Sequence, residues 1–318
     1  MRWTAVGLLA WAAFTSSAPA YAQAGDAPRS AAERVQISDL MHRAVVAARR
    51  EAEAARANAH LDAWDRRNAQ SQFALILMSM RQCRETLEFV DTHGEIMASG
   101  IARLIFQARV DRDDACVTDL AGRMVTRFED SDYTPGGRIG LRFEAAAYLD
   151  AAGKPDARAI MEKAEGELLA LPDRDALWNA RWHAVDAYQE KPGYMGYLEY
   201  LADRMLAEHL SPDWLQGRSL LALLAGKGRC DLVEKIVQQG PASCDKPLRT
   251  AEGIYIHPRP PTNMDAMIKA FGAEAPPVEE ESLRRALDEP TPWRRLTGLM
   301  SLVDACQDAL GGGAADHL

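Results

Sequence analysis

Signatures of enzymatic chemistry are missing from this 318-residue chain. There is no G-x-S-x-G, no H-E-x-x-H, no glycine-rich phosphate loop and no C-x-x-C pair. That removes the usual starting points for acyl transfer, zinc hydrolysis, nucleotide binding and thiol–disulfide exchange. No strand-like alternation persists beyond a few residues, and no stretch after the N-terminal region approaches membrane-spanning length without charges. Positive charge is also short: the net charge is −9, which argues against nucleic acid and anionic membrane surfaces as partners. The seven histidines are scattered without ligand-like pairing, so neither a metal nor a cofactor is expected. Ser243-Cys244-Asp245-Lys246 matches an S-x-x-K spacing, but it sits in a loop and no S-D-N or K-T-G follows; we read it as chance.

What remains is an ordinary globular composition, 47% hydrophobic and 26% charged, so wholesale disorder is not expected. Residues 1–22 read as a signal peptide. Arg2 is a minimal basic region, Ala5 to Phe14 an apolar run, and Ala20-Tyr21-Ala22 a small-residue cleavage site. The expected cut after Ala22 implies a periplasmic or secreted chain with an Ala/Gly/Pro/Ser-rich start at residues 23–32.

Five cysteines in an oxidising compartment make disulfides plausible, and the odd count leaves one over. Cys83, Cys116 and Cys230 each open a helical pattern after a polar turn, where small residues pack as readily as they bond. Cys230 and Cys244, flanking a helix and its exit loop, are the better disulfide candidates.

The rest of the chain reads as helices. One long Ala/Arg/Glu-rich helix runs from about Ala32 to Arg67, with Asn58 as its weak point. Its mostly alanine seam lacks the large residues a coiled-coil dimer uses. Helix pairs follow from Ser71: Gln72–Met80 with Cys83–Val90, Glu95–Val110 with Cys116–Phe128, a central hairpin, Ala176–Tyr188 with Tyr194–His209, and Trp214–Ala225 with Cys230–Gln239. The turns between them carry Gly, Pro and Asp. Ala152-Gly153-Lys154 echoes Ala225-Gly226-Lys227 about two repeat lengths later.

In the central hairpin, Ala145, Tyr148, Ala157 and Ala164 stand at the small–aromatic–small–small spacing of tetratricopeptide units, which the stretch 71–240 resembles. The usual tryptophan position holds Leu141, and the closing Pro172 comes late. The resemblance implies an all-α fold: a right-handed α-solenoid of TPR-like hairpins, with residues 23–70 forming its start and N-terminal helix. Residues 241–318 are then an irregular Pro-rich strap followed by a C-terminal helical cap. Such architectures serve unrelated activities, so the resemblance alone names no reaction.

One surface stands out. Trp178, Trp182, Tyr188, Tyr194, Tyr197, Tyr200 and Trp214 crowd one region, and Tyr197, Tyr200 and Arg204 fall beside the inward stripe of their helix. Tyr and Arg favour protein contacts. The strap's extended, Pro-rich part carries Tyr255, His257 and Arg259 and is expected to lie along the same groove, either occupying it as a built-in ligand mimic or forming one wall beside Tyr197, Tyr200 and Arg204. The expected function is a monomeric periplasmic scaffold or adaptor that binds a protein or peptide. The alternatives are an envelope enzyme or enzyme subunit with a site between the solenoid and residues 253–261, and a structural assembly factor.

Overall fold

The computed structural model describes residues 29–93, 96–127, 134–172, 174–210, 215–237, 248–249, 255–256 and 276–311. Among these are thirteen helices and one pair of two-residue strands. No helix among the described residues is long and apolar enough to cross a membrane. The chain divides into two compact units, Met1–Arg123 with Met264–Leu318, and Met124–Asn263.

In the first unit, α1 (Ala31–Ala57) starts at Ser30, whose hydroxyl accepts from the Glu33 backbone while Glu33 reaches back to the Ser30 N–H. This reciprocal capping fixes the helix start. The long N-terminal pattern does break at Asn58, which caps α1. Asn58 also accepts from the His60 N–H at 2.9 Å, and Asp62 then caps α2 (Ala63–Ser79). Residues 63–70 therefore belong to the first paired helix. An Asx turn competes with helix at such a site, and the next cap restarts it.

Helix α2 is buried around most of its circumference, polar Asn68, Gln70, Ser71 and Gln72 included. It packs against α1, α3 (Cys83–Thr92), α4 (Ala98–Val110) and α13 (Pro292–Leu310). The Gln70 amide donates to the Ala52 carbonyl of α1 at 2.6 Å. The C-terminal pair, α12 (Glu280–Leu287) and α13, belongs to this unit. Leu296, Leu299, Leu302, Val303 and Cys306 of α13 share one core with Ala44, Ala48 and Ala52 of α1. The alanine seam of α1 is thus covered by the chain's own last helix, small side chains allowing a close approach. Arg295 of α13 pairs with Glu51 of α1 at 2.7 Å.

A disulfide joins Cys83, the first residue of α3, to Cys116 in the first turn of α5 (Asp114–Arg127), with Cα atoms 6.0 Å apart. These two cysteines bond; they are not merely small packers. They stand near the starts of the second helices of successive pairs, 33 residues apart, two and four residues past the turn residues Arg81 and Arg112. Cys306 is a buried free thiol.

The second unit contains α6 (Pro135–Ala151), α7 (Ala157–Leu169), α8 (Arg174–Tyr188), α9 (Tyr194–Ala207), α10 (Leu215–Gly226) and α11 (Cys230–Val237). Thr134 caps α6 with Pro135 behind it. Ala145, Tyr148, Ala157 and Ala164 are all buried. Helix α6 packs on α7 and along α8, where a Cβ at Gly136 would come within 3.0 Å of the Ala176 Cβ.

One turn recurs through the chain. Among the described residues, four helix pairs are joined by a residue at positive φ (Arg81, Arg112, Gly153, Gly228), and the same turn recurs at His209 between α9 and α10. Its N–H reaches the carbonyl three residues back, and the next N–H reaches five back. The pairs are Arg81→Met78 with Gln82→Leu77, Arg112→Arg109 with Asp113→Ala108, Gly153→Asp150 with Lys154→Leu149, and Gly228→Ala225 with Arg229→Leu224. This pattern satisfies the last carbonyls of each first helix. Glycine holds the αL position in two of these turns; arginine or histidine holds it in the others despite the steric cost.

The strap begins as structure rather than as free extended chain. Strands β1 (Leu248–Arg249) and β2 (Tyr255–Ile256) pair antiparallel, Leu248 opposite Ile256 and Arg249 opposite Tyr255. Strand β2 lies against α10.

Candidate functional site

The densest constellation of polar chemistry in the second unit surrounds Arg181, a residue with 0% exposure in the middle of α8. It stands in the stripe Leu177, Arg181, Ala184, Tyr188, where the helical period demands an inward side chain. A buried guanidinium requires opposite charge and hydrogen bonds, and two helices supply them. Nε and Nη2 donate to one oxygen of Glu165 on α7 at 3.0 and 2.7 Å. Nη1 donates to Glu208, the residue capping α9, at 2.8 Å. The other Glu208 oxygen accepts from the Trp178 indole at 2.9 Å. Trp178 lies one turn before Arg181, so its ring sits 4.9 Å from the guanidinium carbon. Burial disfavours the charge on Arg181, but the bonds to Glu208 and Glu165 outweigh it and keep the guanidinium firmly protonated.

Against this base stands a column of aromatic rings. Tyr188 stacks on Tyr197 at 4.6 Å, Tyr197 on Tyr200 at 5.6 Å, and the Arg204 guanidinium caps Tyr200 at 5.4 Å. The spacing 197, 200, 204 places these three on one side of α9. Each hydroxyl is used internally. Tyr188 donates to Asp150, Tyr197 to the Arg181 carbonyl at 2.9 Å, and Tyr200 to Glu165. Burial, and then the hydrogen bond to Glu165, push the Tyr200 phenol up to about 12. Burial likewise raises Tyr197 and, together with Asp150, Tyr188.

The column therefore runs from interior to surface. Tyr197 is only 6% exposed and offers no face to a partner. Tyr200 and Arg204 are part-exposed. Tyr255 is paired through its backbone in β2, next to α10. His257 and Arg259 lie outside the described residues. Cys230 is disulfide-bonded, and Cys244 lies outside the described residues.

Sequence reasoning missed Arg181, Glu165 and Glu208. The signal was present: a lone arginine at a core position of an apolar stripe, three residues after a tryptophan.

The cluster gathers convergent polar side chains from three helices, but its chemistry is self-satisfied. The guanidinium offsets one of the two carboxylate charges that touch it, and it is sealed from any ligand. What it does is hold α7, α8 and α9 in register beneath Tyr200 and Arg204. Among the described residues, one group brings metal-ligating atoms within 4.8 Å of each other, Cys83, Asp113 and Cys116. Its two sulfurs are bonded to each other, and Asp113 accepts from the Cys116 N–H at 2.9 Å, so it is a stapled helix start. Two open clefts lie in the first unit. One, of about 540 Å³, runs between α12 and α13 beside Trp293 and Arg294. The other, of about 810 Å³, lies where α1 and α12 begin, bridged by Arg43 and Glu280.

No family model, no curated protein and no solved structure matches this chain.

Proposed function

We propose that this chain is a secreted, periplasmic helical-repeat scaffold that binds a protein or peptide partner through the exposed end of the tyrosine column, Tyr200 and Arg204. The observation that carries the reading is the column itself. An arginine and a tyrosine are presented on a base already locked by Arg181, so little freedom is lost when a partner docks. Tyr and Arg on rigid, partly buried supports are typical of binding hot spots.

The repeated hairpin turn supports a TPR-like solenoid, because one turn geometry closing successive helix pairs is what stacked hairpins require. The Cys83–Cys116 disulfide fits an oxidising compartment and hence the leader read in residues 1–22. The buried polar cluster is the feature that favours an enzyme instead. Against that reading, its guanidinium has no exposed atom and its tyrosine hydroxyls are all donated inward. A catalytic group must be within reach of substrate.

The test is capture from a periplasmic extract with immobilised residues 23–318, wild type beside Arg204→Glu. Partners held by the wild type and released by the variant support the proposal. An identical set on both removes the Arg204 surface as the binding site.

A further inference from the structure

The first unit contains a carboxyl group that its surroundings do not accommodate as an anion. Asp304 is part-buried on α13, beside Val303 and Ala305, which are both buried. Its Oδ2 is enclosed and has no hydrogen-bond partner among the described residues. The groups that act on its charge are Ser79 at the end of α2, Asp111 at the end of α4, and Asp308 one turn further along α13. None is a cation. Asp111 is itself half-enclosed, and Arg81 stands 3.6 Å from it.

Among the described residues, no cation from the other elements packed on α13 is recorded acting on this carboxyl; Arg285 of α12, which lines the cleft along α13, pairs with Glu281 at 3.2 Å. Helix α1 contributes Ala44, Ala48 and Ala52, with Glu51 already paired to Arg295. Helix α12 contributes Ala286 opposite Gly298, where a Cβ would meet the Ala286 backbone at 3.2 Å.

The hydrogen bonding points the same way. The Ser79 hydroxyl donates its single proton to the Ile76 carbonyl at 3.0 Å. Only lone pairs then remain on Ser79 to face Asp304. The contact is satisfied if Asp304 brings a proton of its own. An ionised Asp304 would have to draw the Ser79 proton away from Ile76 and would face Asp111 and Asp308 as like charges.

We propose that Asp304 is a protonation latch for the C-terminal helix: α13 seats on α2 with this carboxyl neutral, and it loosens when the carboxyl ionises. Burial pushes the group up to about 7, with the neighbouring aspartates adding to the rise against the Ser79 contact. An aspartate in the unfolded chain titrates near 4. Between those values the packed state holds a proton that the opened state has lost. Stability is therefore full at low pH, declines as pH rises through that window, and levels off above it. The helix that covers the seam of α1 would then be held most tightly in mildly acidic surroundings.

The test is amide hydrogen exchange of α13, corrected for intrinsic rates, at pH 5 and pH 8 for the full chain and for Asp304→Asn. In the wild type, protection of α13 should fall at least about tenfold between the two pH values. In the variant the step should vanish, with protection at pH 8 at least about tenfold above wild type. If the asparagine disturbs packing by itself, Asp304→Ala must still abolish the step, because the titrating group is gone. Flat wild-type protection, a step that survives in either variant, or an Asp304 carboxyl resonance that titrates below pH 5 would overturn the proposal.

Discussion

Arg181 gives two of its N–H groups to a single oxygen of Glu165, at 3.0 and 2.7 Å, inside the second unit. That oxygen also accepts from Tyr200. One carboxylate thus ties the interior of α8 to the part-exposed side of α9, and the ion pair acts as the foundation of the surface above it.

Removing the cation should be costly. Arg181→Ala leaves Glu165 and Glu208 facing each other with 12% and 18% of their side chains exposed. Breaking a buried pair on one side costs about 3–5 kcal/mol. Adding Glu165→Gln and Glu208→Gln should recover part of that loss. Urea unfolding of the single and triple variants measures both, and a single variant as stable as wild type would mean the cluster contributes nothing net.

The disulfide should carry a comparable share. Closing a loop of 33 residues is worth about 3–4 kcal/mol through the unfolded chain. Cys83→Ser with Cys116→Ser should lower the urea midpoint accordingly and leave the second unit's aromatic environment unchanged. Near-ultraviolet circular dichroism monitors the latter. Peptide mapping without reduction should recover Cys83 and Cys116 in one linked fragment.

Two glycines should respond in opposite directions. Gly298 lets α13 touch the Ala286 backbone, so Gly298→Val forces the helices apart and should destabilise by about 2 kcal/mol. Gly166 lies mid-helix in α7 with open space where a Cβ would stand. Gly166→Ala should stabilise by about 0.5–1 kcal/mol. Thermal melts of the two variants decide this, and equal signs would contradict the packing described.

The helices were legible because their ends are written in turn residues. Lys191-Pro192-Gly193 separates α8 from α9, Lys227-Gly228 separates α10 from α11, and the observed helices begin or end within a few residues of those signals. The break at Asn58 was visible for the same reason. The Cys83–Cys116 bond was harder to see. A cysteine at a helix start looks like any small packer until the fold brings the starts of two such helices together. Their separation, close to one repeat length, was the usable clue.

The return of α13 to α1 is a long-range event. An alanine seam accepts many apolar partners, and nothing local says which helix will cover it. The inner half of the candidate site was hidden by a familiar bias: charged residues are assigned to solvent. Arg181 escapes that rule because Glu165 and Glu208 arrive from elements sixteen residues before and twenty-seven after it, a coincidence that only the fold produces. The place of Tyr200 and Arg204 beside the apolar stripe was legible because it is a local property of α9.

In the proposed function, partner binding depends on the surface formed by Arg204 over Tyr200. With a partner recovered by capture, its dissociation constant should be measured calorimetrically for wild type, Arg204→Ala and Tyr200→Phe, alongside their melting temperatures. Arg204 makes one ring contact, to Tyr200, of a kind worth about 0.5–1 kcal/mol when exposed, so its removal should barely change the melting temperature. Affinity should fall by about 2 kcal/mol, roughly thirtyfold, for Arg204→Ala. Tyr200→Phe keeps the ring and loses only a hydroxyl committed to Glu165, so it should bind almost as wild type. Undiminished affinity in Arg204→Ala, with the fold intact, would contradict the account.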